Sequence, residues 1–505
     1  MPAFFPLFLS ALPILAALIL LIGFKVSSLW TAVLVYCLAV LLTAVPSAFH
    51  MTLASIGFAS LQGLLLSIMI VFVLLFGLLL YHVLHAGGAI QTISAAFTRH
   101  AHLPVQQALL ISAALGPFLE ATSGFGIGIV IAAPLYLAIG FSPKKTVLLS
   151  LLTQTAVPWG ALAVGTVINA ELSDVSLHQL GMTSAVATVP LYLMYTLAVV
   201  VIAGGWGEVR KNIGLILTVW LLLSAGTWLT NAFISTQLAG ALAGAVTAVV
   251  LLGYWRLVPG AASRAKAETA ATDPYPSPVS FVRAVSPYII LVGYLVCTSL
   301  IPRISHFVDS VFVWRLPAFG YRLALIDNPG FALLLTAAAA MWIYRLSWNQ
   351  ICSCCVKTLQ QVYPAVLSTV GFIAMSTVMQ KAGMINCVAG AIAALCGGSF
   401  LLVSPLVGGL GGFISGSNSA ANAMFAPFQS AMAHKLHSSA LLYATSQNVS
   451  AANMSYSSPS RISLATVVAN QGGREGEFTR KILPLSLVAV AIIILFNLSW
   501  QAFGK

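Results

Sequence analysis

Residues 118–128 read FLEATSGFGIG, in the middle of an apolar stretch that runs from 105 to 142. This stretch is too long for one transmembrane crossing, which needs about 20 residues, and glycines interrupt it near its centre. A second apolar stretch, 399–434, is interrupted in the same way by the sequence GFISGSNSAAN at 412–422. We expect each stretch to enter and leave the membrane on one side, as a re-entrant hairpin with a glycine-rich tip.

The composition around these stretches is that of a membrane protein. Of the 505 residues, 60% are apolar and only 6% are charged, whereas soluble domains are about 25% charged. Such values exclude a soluble enzyme, a disulfide-stapled secreted module and a disordered scaffold. The net charge of +12 lies in short loops between apolar runs, so it orients the chain in a bilayer rather than binding nucleic acid.

Apolar runs of about 20 residues predict an all-α polytopic protein with about 12 transmembrane helices in addition to the two hairpins. The segment 255–283 is the longest hydrophilic loop, and we interpret it as a cytoplasmic linker between a first half, 1–254, and a second half, 284–505. The predicted spans are 4–24, 28–46, 61–84, 145–170, 182–206, 213–232, 236–254, 284–301, 329–345, 362–382, 438–468 and 482–502.

The basic residues of the loops orient these spans. With both termini outside, Lys25, Arg99 and the 255–283 loop lie in the cytoplasm, while the acidic loop 171–181 lies outside. The arginines of 302–327 would lie outside in this orientation, where basic residues are not expected. A surface helix in this segment, tethered by Asp309 and Asp327, would reduce the conflict. A multi-pass protein of the bacterial cytoplasmic (inner) membrane is the expected location, with the lipid bilayer as its partner.

An internal duplication links the two hairpins. Pro134 and Gln154 recur as Pro427 and Gln447, each 293 positions later. In both halves a hairpin is followed by a short basic turn and then by a span broken with polar residues, 145–170 and 438–468. Chance identity is the alternative, and the matching order of elements argues against it. Because the two hairpins start on opposite sides, we expect an inverted repeat with broken helices at the midplane, which is typical of secondary transporters.

The hairpin tips and broken spans supply groups that can bind an anion. Helix N-termini inside the membrane present free N–H groups to a carboxylate, and either Asn418 or Ser419 is expected to cap the helix after the second tip. Tight helix packing by small residues is the alternative role for any one of these positions. The predicted substrate-binding residues are Ser123, Gly124, Gly126, Gln154, Thr155, Ser415, Gly416, Ser417, Asn418, Asn422, Gln447, Asn448 and Arg461.

Two charged residues stand out in these segments. Glu120 is a carboxyl group within an apolar stretch, and acids inside membranes mark ion pathways, so we interpret Glu120 as the proton carrier. A neutral acid that only braces the hairpin tip is the alternative. Arg461 follows Pro459 in the second broken span, where it could bind a substrate carboxylate or anchor the chain near the cytoplasmic face.

At these motifs the sequence resembles the lactate permease family. The resemblance begins at Ser10-Ala-Leu-Pro-Ile14, is strong at the FLE and GFG of 118–126, and is strongest from Phe413 to about Pro484. It implies a symporter that brings 2-hydroxymonocarboxylates such as L-lactate, D-lactate or glycolate into a bacterial cell together with protons. The family pattern has an Asp where this chain has Asn418, and a Lys where it has Ser455.

These observations predict a carrier rather than an enzyme, with a small organic anion and a proton as its partners and with no cofactor or metal. The cluster Cys352–Cys355 has no His or acidic residue at zinc-ligand spacing. A sodium-coupled carrier of another small mono- or dicarboxylate remains the alternative function, because exposed carbonyls at broken helices can hold sodium. A homodimer is compatible with the sequence, which does not decide the oligomeric state.

Overall fold

The computed structural model describes residues 4–98, 103–124, 126–257, 279–319 and 321–503. Within these ranges the chain is almost entirely helical. The helices are α1 Phe4–Leu18, α2 Ser28–Ala44, α3 Leu53–Ala86, α4 Ala89–Thr98, α5 Pro104–Leu110, α6 Gly116–Ser123, α7 Ile127–Ala138, α8 Pro143–Leu151, α9 Gly160–Ser173, α10 Leu177–Gly204, α11 Trp206–Lys211, α12 Ile213–Phe233, α13 Ala239–Leu257, α14 Phe281–Leu300, α15 Pro302–Ser310, α16 Pro329–Ile343, α17 Trp348–Lys381, α18 Met384–Cys396, α19 Phe400–Ser415, α20 Asn418–Lys435, α21 Ala440–Ser455, α22 Pro459–Val468 and α23 Glu475–Phe503.

Seven helical segments in the described ranges are long and apolar enough to cross a membrane, and six shorter apolar helices accompany them. The chain is therefore a multi-pass membrane protein, while the count of 12 spans stays a prediction. The helices α3 and α17 begin earlier in the sequence than the predicted spans. The helices α4 and α18 were not predicted, because each is a short segment between a long helix and a hairpin.

The order of elements in the first half recurs in the second half. Both α3 and α17 have 34 residues, and each is followed by a short helix, a helix–turn–helix, an interrupted helix pair and a long final helix. In the first half these elements are α4, α5–α7, α8–α9 and α10. In the second half they are α18, α19–α20, α21–α22 and α23. The inverted relation of the two sets, and the re-entrant path of the hairpins, remain predictions.

Close packing of α3 against α17 joins the two halves. A Cβ atom on Gly63 of α3 would lie 2.8 Å from the Cα of Ala374, so only glycine permits this approach. One turn earlier in α17, Gly371 packs directly on Ala32 of α2 in the same way. A second contact between the halves forms where α20 and α21 pack against α9. The two halves thus pack on each other through α3 and α17 and through α9 with α20.

The segment 302–327 departs from the all-α prediction. The expected surface helix covers only α15, and it is followed by two short antiparallel strands, β1 Val313–Leu316 and β2 Tyr321–Ala324. Asp309 accepts a 2.7 Å charged hydrogen bond from Arg322 of β2, which ties the strands to α15. The tether predicted for Asp309 is thus an ion pair within this segment. Most of the predicted linker, 255–283, lies outside the described residues.

Candidate functional site

The tip of the first hairpin depends on two glycines with left-handed backbone. The helix α6 ends at Ser123, Gly124 has φ 67°, and Gly126 has φ 79° immediately before α7 begins. A side chain at either position would strain the backbone, since left-handed φ values carry a steric penalty for residues with a Cβ atom. The glycines therefore produce the sharp turn that brings the start of α7 back beside α6.

Glu120 braces this tip from within α6. Its side chain is 3% exposed. One carboxyl oxygen, Oε1, accepts a 3.3 Å hydrogen bond from the backbone N–H of Gly126, and Oε2 accepts a 3.0 Å bond from Nε2 of Gln154. Gln154 lies in a 3-10 turn, Leu152–Gln154, where the predicted broken span is interrupted. The carboxyl group thus links the first tip to the first broken helix.

The second hairpin tip also turns at a glycine with left-handed backbone, and a serine side chain caps the helix that follows. The helix α19 ends at Ser415, Gly416 has φ 64°, and the Ser417 hydroxyl accepts a 3.3 Å hydrogen bond from Ala420 N at the start of α20. The prediction that Asn418 or Ser419 caps this helix is wrong. Ser417 has the extended backbone that an N-cap requires, whereas Asn418 is already the first helical residue.

Arg461 contacts both tips. It lies in the first turn of α22, where Ser458 is the N-cap. Its Nε donates a 3.1 Å hydrogen bond to the carbonyl of Gly416 in the second tip. Its Nη1 packs on Gly126 of the first tip so closely that a Cβ atom there would collide with it. Within the described part of the chain Arg461 forms no salt bridge, which leaves the ends of its guanidinium group available to a ligand.

These residues surround one cavity of about 640 Å³, which we call the central cavity. Glu120 and Arg461 are the charged side chains among its described lining residues, and they are close enough to interact electrostatically. Both tips contribute to the wall through Gly124 and the segment 415–418. Sequence reasoning missed most of the remaining polar residues of the wall, which are Ser27, Ser28, Ser368, Thr369 and Ser460. Ser419 also lines the wall, and it was expected only as a helix cap.

Buried amides support the second tip from behind. Asn418, which lines the cavity, donates through Nδ2 to Oδ1 of Asn448 at 3.0 Å. Asn422 donates to the same Asn448 oxygen at 3.0 Å and to the Gly165 carbonyl at 2.9 Å. The amide nitrogen of Asn448 donates in turn to the Thr166 hydroxyl at 3.0 Å. Asn422 and Asn448 are thus fully buried in a network that joins α20, α21 and α9.

Seven predicted site residues are not among those that line the central cavity. Four of them are hydrogen-bonded to Glu120 or Asn418 of the wall, namely Gly126, Gln154, Asn422 and Asn448. The other three have different surroundings. Thr155 lines a separate small cavity with Tyr192 and Tyr195. Ser123 is buried in the last turn of α6. Gln447 accepts a hydrogen bond from Gln429 and donates to the Ala421 carbonyl, so it binds the neighbouring helix α20. The polar stretch around Gln447 was expected to interrupt its span, but α21 is continuous to Ser455 and the break follows there.

Comparison with known proteins identifies the family. The family model described as L-lactate permease matches residues 7–318 and 316–501, which together span most of the chain. The chain belongs to the L-lactate permease family. The resemblance seen in the motifs is thereby confirmed, and the chain is a transporter and not an enzyme.

Curated relatives are similar over most of their length. An L-lactate permease of Escherichia coli (strain K12) is 22% identical over 96% of this chain and 94% of its own length. One from Streptococcus iniae is 24% identical over 77% of this chain and 83% of its own. A glycolate permease, GlcA, of Escherichia coli is 23% identical over 92% of this chain and 90% of its own. Among solved structures, the YdaH transporter of Alcanivorax borkumensis has a TM-score of 0.46 at 15% identity, with 89% of this chain and 86% of YdaH covered.

Proposed function

We propose that the chain is a proton-coupled symporter of a short 2-hydroxymonocarboxylate such as L-lactate, D-lactate or glycolate. Membership of the L-lactate permease family and the glycolate permease among the relatives support this substrate class. The observation that carries the proposal is the central cavity, which holds one acid and one guanidinium group between two hairpin tips. A small carboxylic acid with one polar substituent fits a site with these groups.

In this proposal Arg461 binds the substrate carboxylate. The guanidinium group lies at the cavity wall with one nitrogen fixed on Gly416, and a planar fork of N–H donors suits a carboxylate. The hydroxyls of Ser417 and Ser460 also border the cavity and can bind the 2-hydroxyl group of the substrate. Asn418 adds an amide to the same wall.

Glu120 couples the anion to the proton through charge. While Glu120 is ionised, its negative charge offsets that of Arg461 and opposes a second carboxylate in the cavity. Protonation of Glu120 leaves the Arg461 charge unbalanced, which favours binding of the anion. One anion and one proton then cross as a neutral unit, so the membrane potential contributes little to a 1:1 cycle.

We place the chain in the bacterial cytoplasmic membrane with both termini outside, following the distribution of basic loops. A homodimer is compatible with the same proposal.

The two departures from the family pattern differ in position. Asn418 lines the central cavity, whereas Ser455 is buried at the end of α21 and donates to Ala452 O. The substrate range is therefore proposed to depend on Asn418 more than on Ser455.

The test is uptake of labelled L-lactate into proteoliposomes in sodium-free buffer, with an inward proton gradient and without one. The proposal predicts accumulation that collapses when a protonophore is added. Glycolate and D-lactate, added unlabelled, should compete, while acetate, which has no hydroxyl, should compete weakly. Uptake that requires sodium and ignores the proton gradient would replace the proposal with the sodium-coupled alternative.

A further inference from the structure

A second cavity, of about 310 Å³, lies on the other side of two helices that border the central cavity. On α3, Val73 faces the second cavity and its neighbour Leu74 faces the central one. On α9, Leu162 and Val164 line the second cavity, while Gly160 and Gly165 line the central one. The two cavities are thus separated by a wall only one helix thick.

The polar end of the second cavity contains an unpartnered donor. Asn328 is 4% exposed, and its Oδ1 accepts a 2.7 Å hydrogen bond from Gly330 N, which fixes the orientation of the amide. Its Nδ2 has no hydrogen-bond acceptor among the described residues. A buried N–H group without an acceptor is unfavourable, so this position fits a ligand that brings an acceptor oxygen.

The other groups of the second cavity complement a small hydroxy acid. Gln237 adds a second amide, and its Oε1 already accepts a hydrogen bond from Ser235, which leaves its nitrogen for a ligand. The carboxyl groups of Glu171 and Asp327 form no ion pair within the described residues and can accept a bond from a ligand hydroxyl. An apolar floor, which includes Met69 and Ile70, suits a short carbon chain.

The charges around this cavity connect anion binding to protonation. Asp309 and Arg322 neutralise each other, and the hydrogen bond from Arg322 lowers the pKa of Asp309. The pKa of Asp327 is raised, mainly because the carboxyl group is buried and to a smaller extent because of the negative charge of Asp309. Glu171 of α9 faces the same space. The next charged groups on the packed elements are Asp174 beyond Glu171, and His306 and Arg315 near Asp309.

We propose that the second cavity is an outer binding site, which takes up the hydroxy acid together with a proton before both move to the central cavity. This inference rests on the proposed function, since it assumes the same substrate class. The donors Asn328 and Gln237 bind the substrate carboxylate, and a protonated Asp327 removes the repulsion that an anion would otherwise meet. Glu171 lies in the last turn of α9, and the segment 171–181 is predicted to be outside, so we place this site on the substrate side.

Asn328→Asp is the decisive variant because it keeps the oxygen that caps Gly330 and replaces the N–H donor by a carboxylate oxygen. It therefore removes a hydrogen bond to the substrate carboxylate and adds a negative charge that repels it. In right-side-out vesicles we expect the KM for labelled L-lactate to rise at least about tenfold, the effect of one buried hydrogen bond to a charged ligand, with little change in kcat. Asp327→Asn should abolish the rise in apparent affinity that the wild type shows as the external pH falls. The matched control is Glu208→Gln, an acid far from both cavities that pairs with Lys211.

Binding to the purified protein separates the two sites. Arg461→Gln removes the cation of the central cavity, and we expect residual, weaker L-lactate binding that the additional change Asn328→Asp abolishes. If the wild type neither binds nor transports L-lactate, the proposed function fails. If it transports L-lactate but Asn328→Asp and Asp327→Asn leave KM and its pH dependence unchanged, the outer site is wrong and the proposed function stands. Poor folding of Asn328→Asp leaves Asp327→Asn as the deciding variant.

Discussion

Glu120→Gln should uncouple transport from the proton gradient while leaving the cavity in place. Glutamine keeps the size of the side chain and retains one oxygen for the Gly126 N–H or for Gln154, the two partners of the carboxyl group. The lost charge-assisted hydrogen bond costs about 1–2 kcal/mol of stability. A helical membrane protein with an otherwise unchanged core should tolerate that loss, so folded protein is expected.

The size of the effect follows from the driving force. One pH unit across the membrane is equivalent to about 1.4 kcal/mol per proton, or a tenfold concentration ratio for a 1:1 symporter. The wild type should therefore accumulate L-lactate about tenfold per pH unit. Glu120→Gln has no proton to carry at this position, so its ratio should approach one, while exchange of external for internal lactate continues.

The assay is uptake by proteoliposomes that carry equal amounts of wild-type or variant protein, with counterflow exchange as the measure of folding and binding. Glu208→Gln is the control, because this partly exposed acid pairs with Lys211 and does not line the cavity. Wild-type accumulation by Glu120→Gln would refute the role of Glu120 as proton carrier. Loss of exchange as well as accumulation would instead indicate that Glu120 only braces the tip.

Three further substitutions test the geometry of the central cavity. Arg461→Gln should lower kcat/KM for L-lactate at least a hundredfold, because a charged hydrogen bond to the carboxylate contributes about 3 kcal/mol; activity within threefold of the wild type would contradict carboxylate binding by Arg461. Gly126→Ala should displace the Arg461 side chain and reduce uptake at least tenfold, whereas Gly140→Ala, which also has a positive φ (92° against 79°) but open space around it, should lose only the backbone contribution of about 1–2 kcal/mol. Asn418→Asp replaces the N–H donor to Asn448 by a carboxylate at the cavity wall, so the KM for the anion should rise about tenfold; an unchanged KM would show that Asn418 does not face the substrate.

The sequence was sufficient to predict the hairpin tips and their charged residues, because the signals are local. Glycines interrupt long apolar runs at both tips, and the structure has left-handed backbone at Gly124, Gly126 and Gly416. A single acid in the first run and an arginine after Pro459 are equally visible in a chain with few charges. The structure brings Glu120 and Arg461 to one cavity, although their roles remain proposals.

Features that depend on contacts between distant helices could not be predicted. In the sequence, the amide residues at 447–448 indicate a break in the membrane-spanning helix. In the structure the helix is continuous there, because the two amide side chains form hydrogen bonds with Asn422, Gln429 and Thr166. The cavity wall from α2 and α17, including Thr369, has no sequence signal because these are single small polar residues in apolar helices. The Ser458-Pro-Ser-Arg461 motif could have indicated that Ser460 belongs to the site. This serine directly precedes an arginine that was predicted to bind the ligand, and both lie in the first turn of the same helix.

The two strands in 302–327 were missed for a similar reason. Each has four residues, and the turn between them is held by tertiary contacts such as the stacking of Phe319 on Phe58 of α3. Strand pairs of this length are marginal by themselves. The sequence therefore favoured a surface helix, which forms only as far as Ser310.

Simultaneous measurement of proton and lactate fluxes tests the central claim most directly. Proteoliposomes that contain a trapped pH indicator and receive labelled L-lactate in sodium-free buffer report both quantities from one sample. We predict that lactate entry drives internal acidification with one proton for each lactate, and that a rise in internal pH accelerates lactate uptake. Lactate entry through the protein without any matching proton movement would contradict the account.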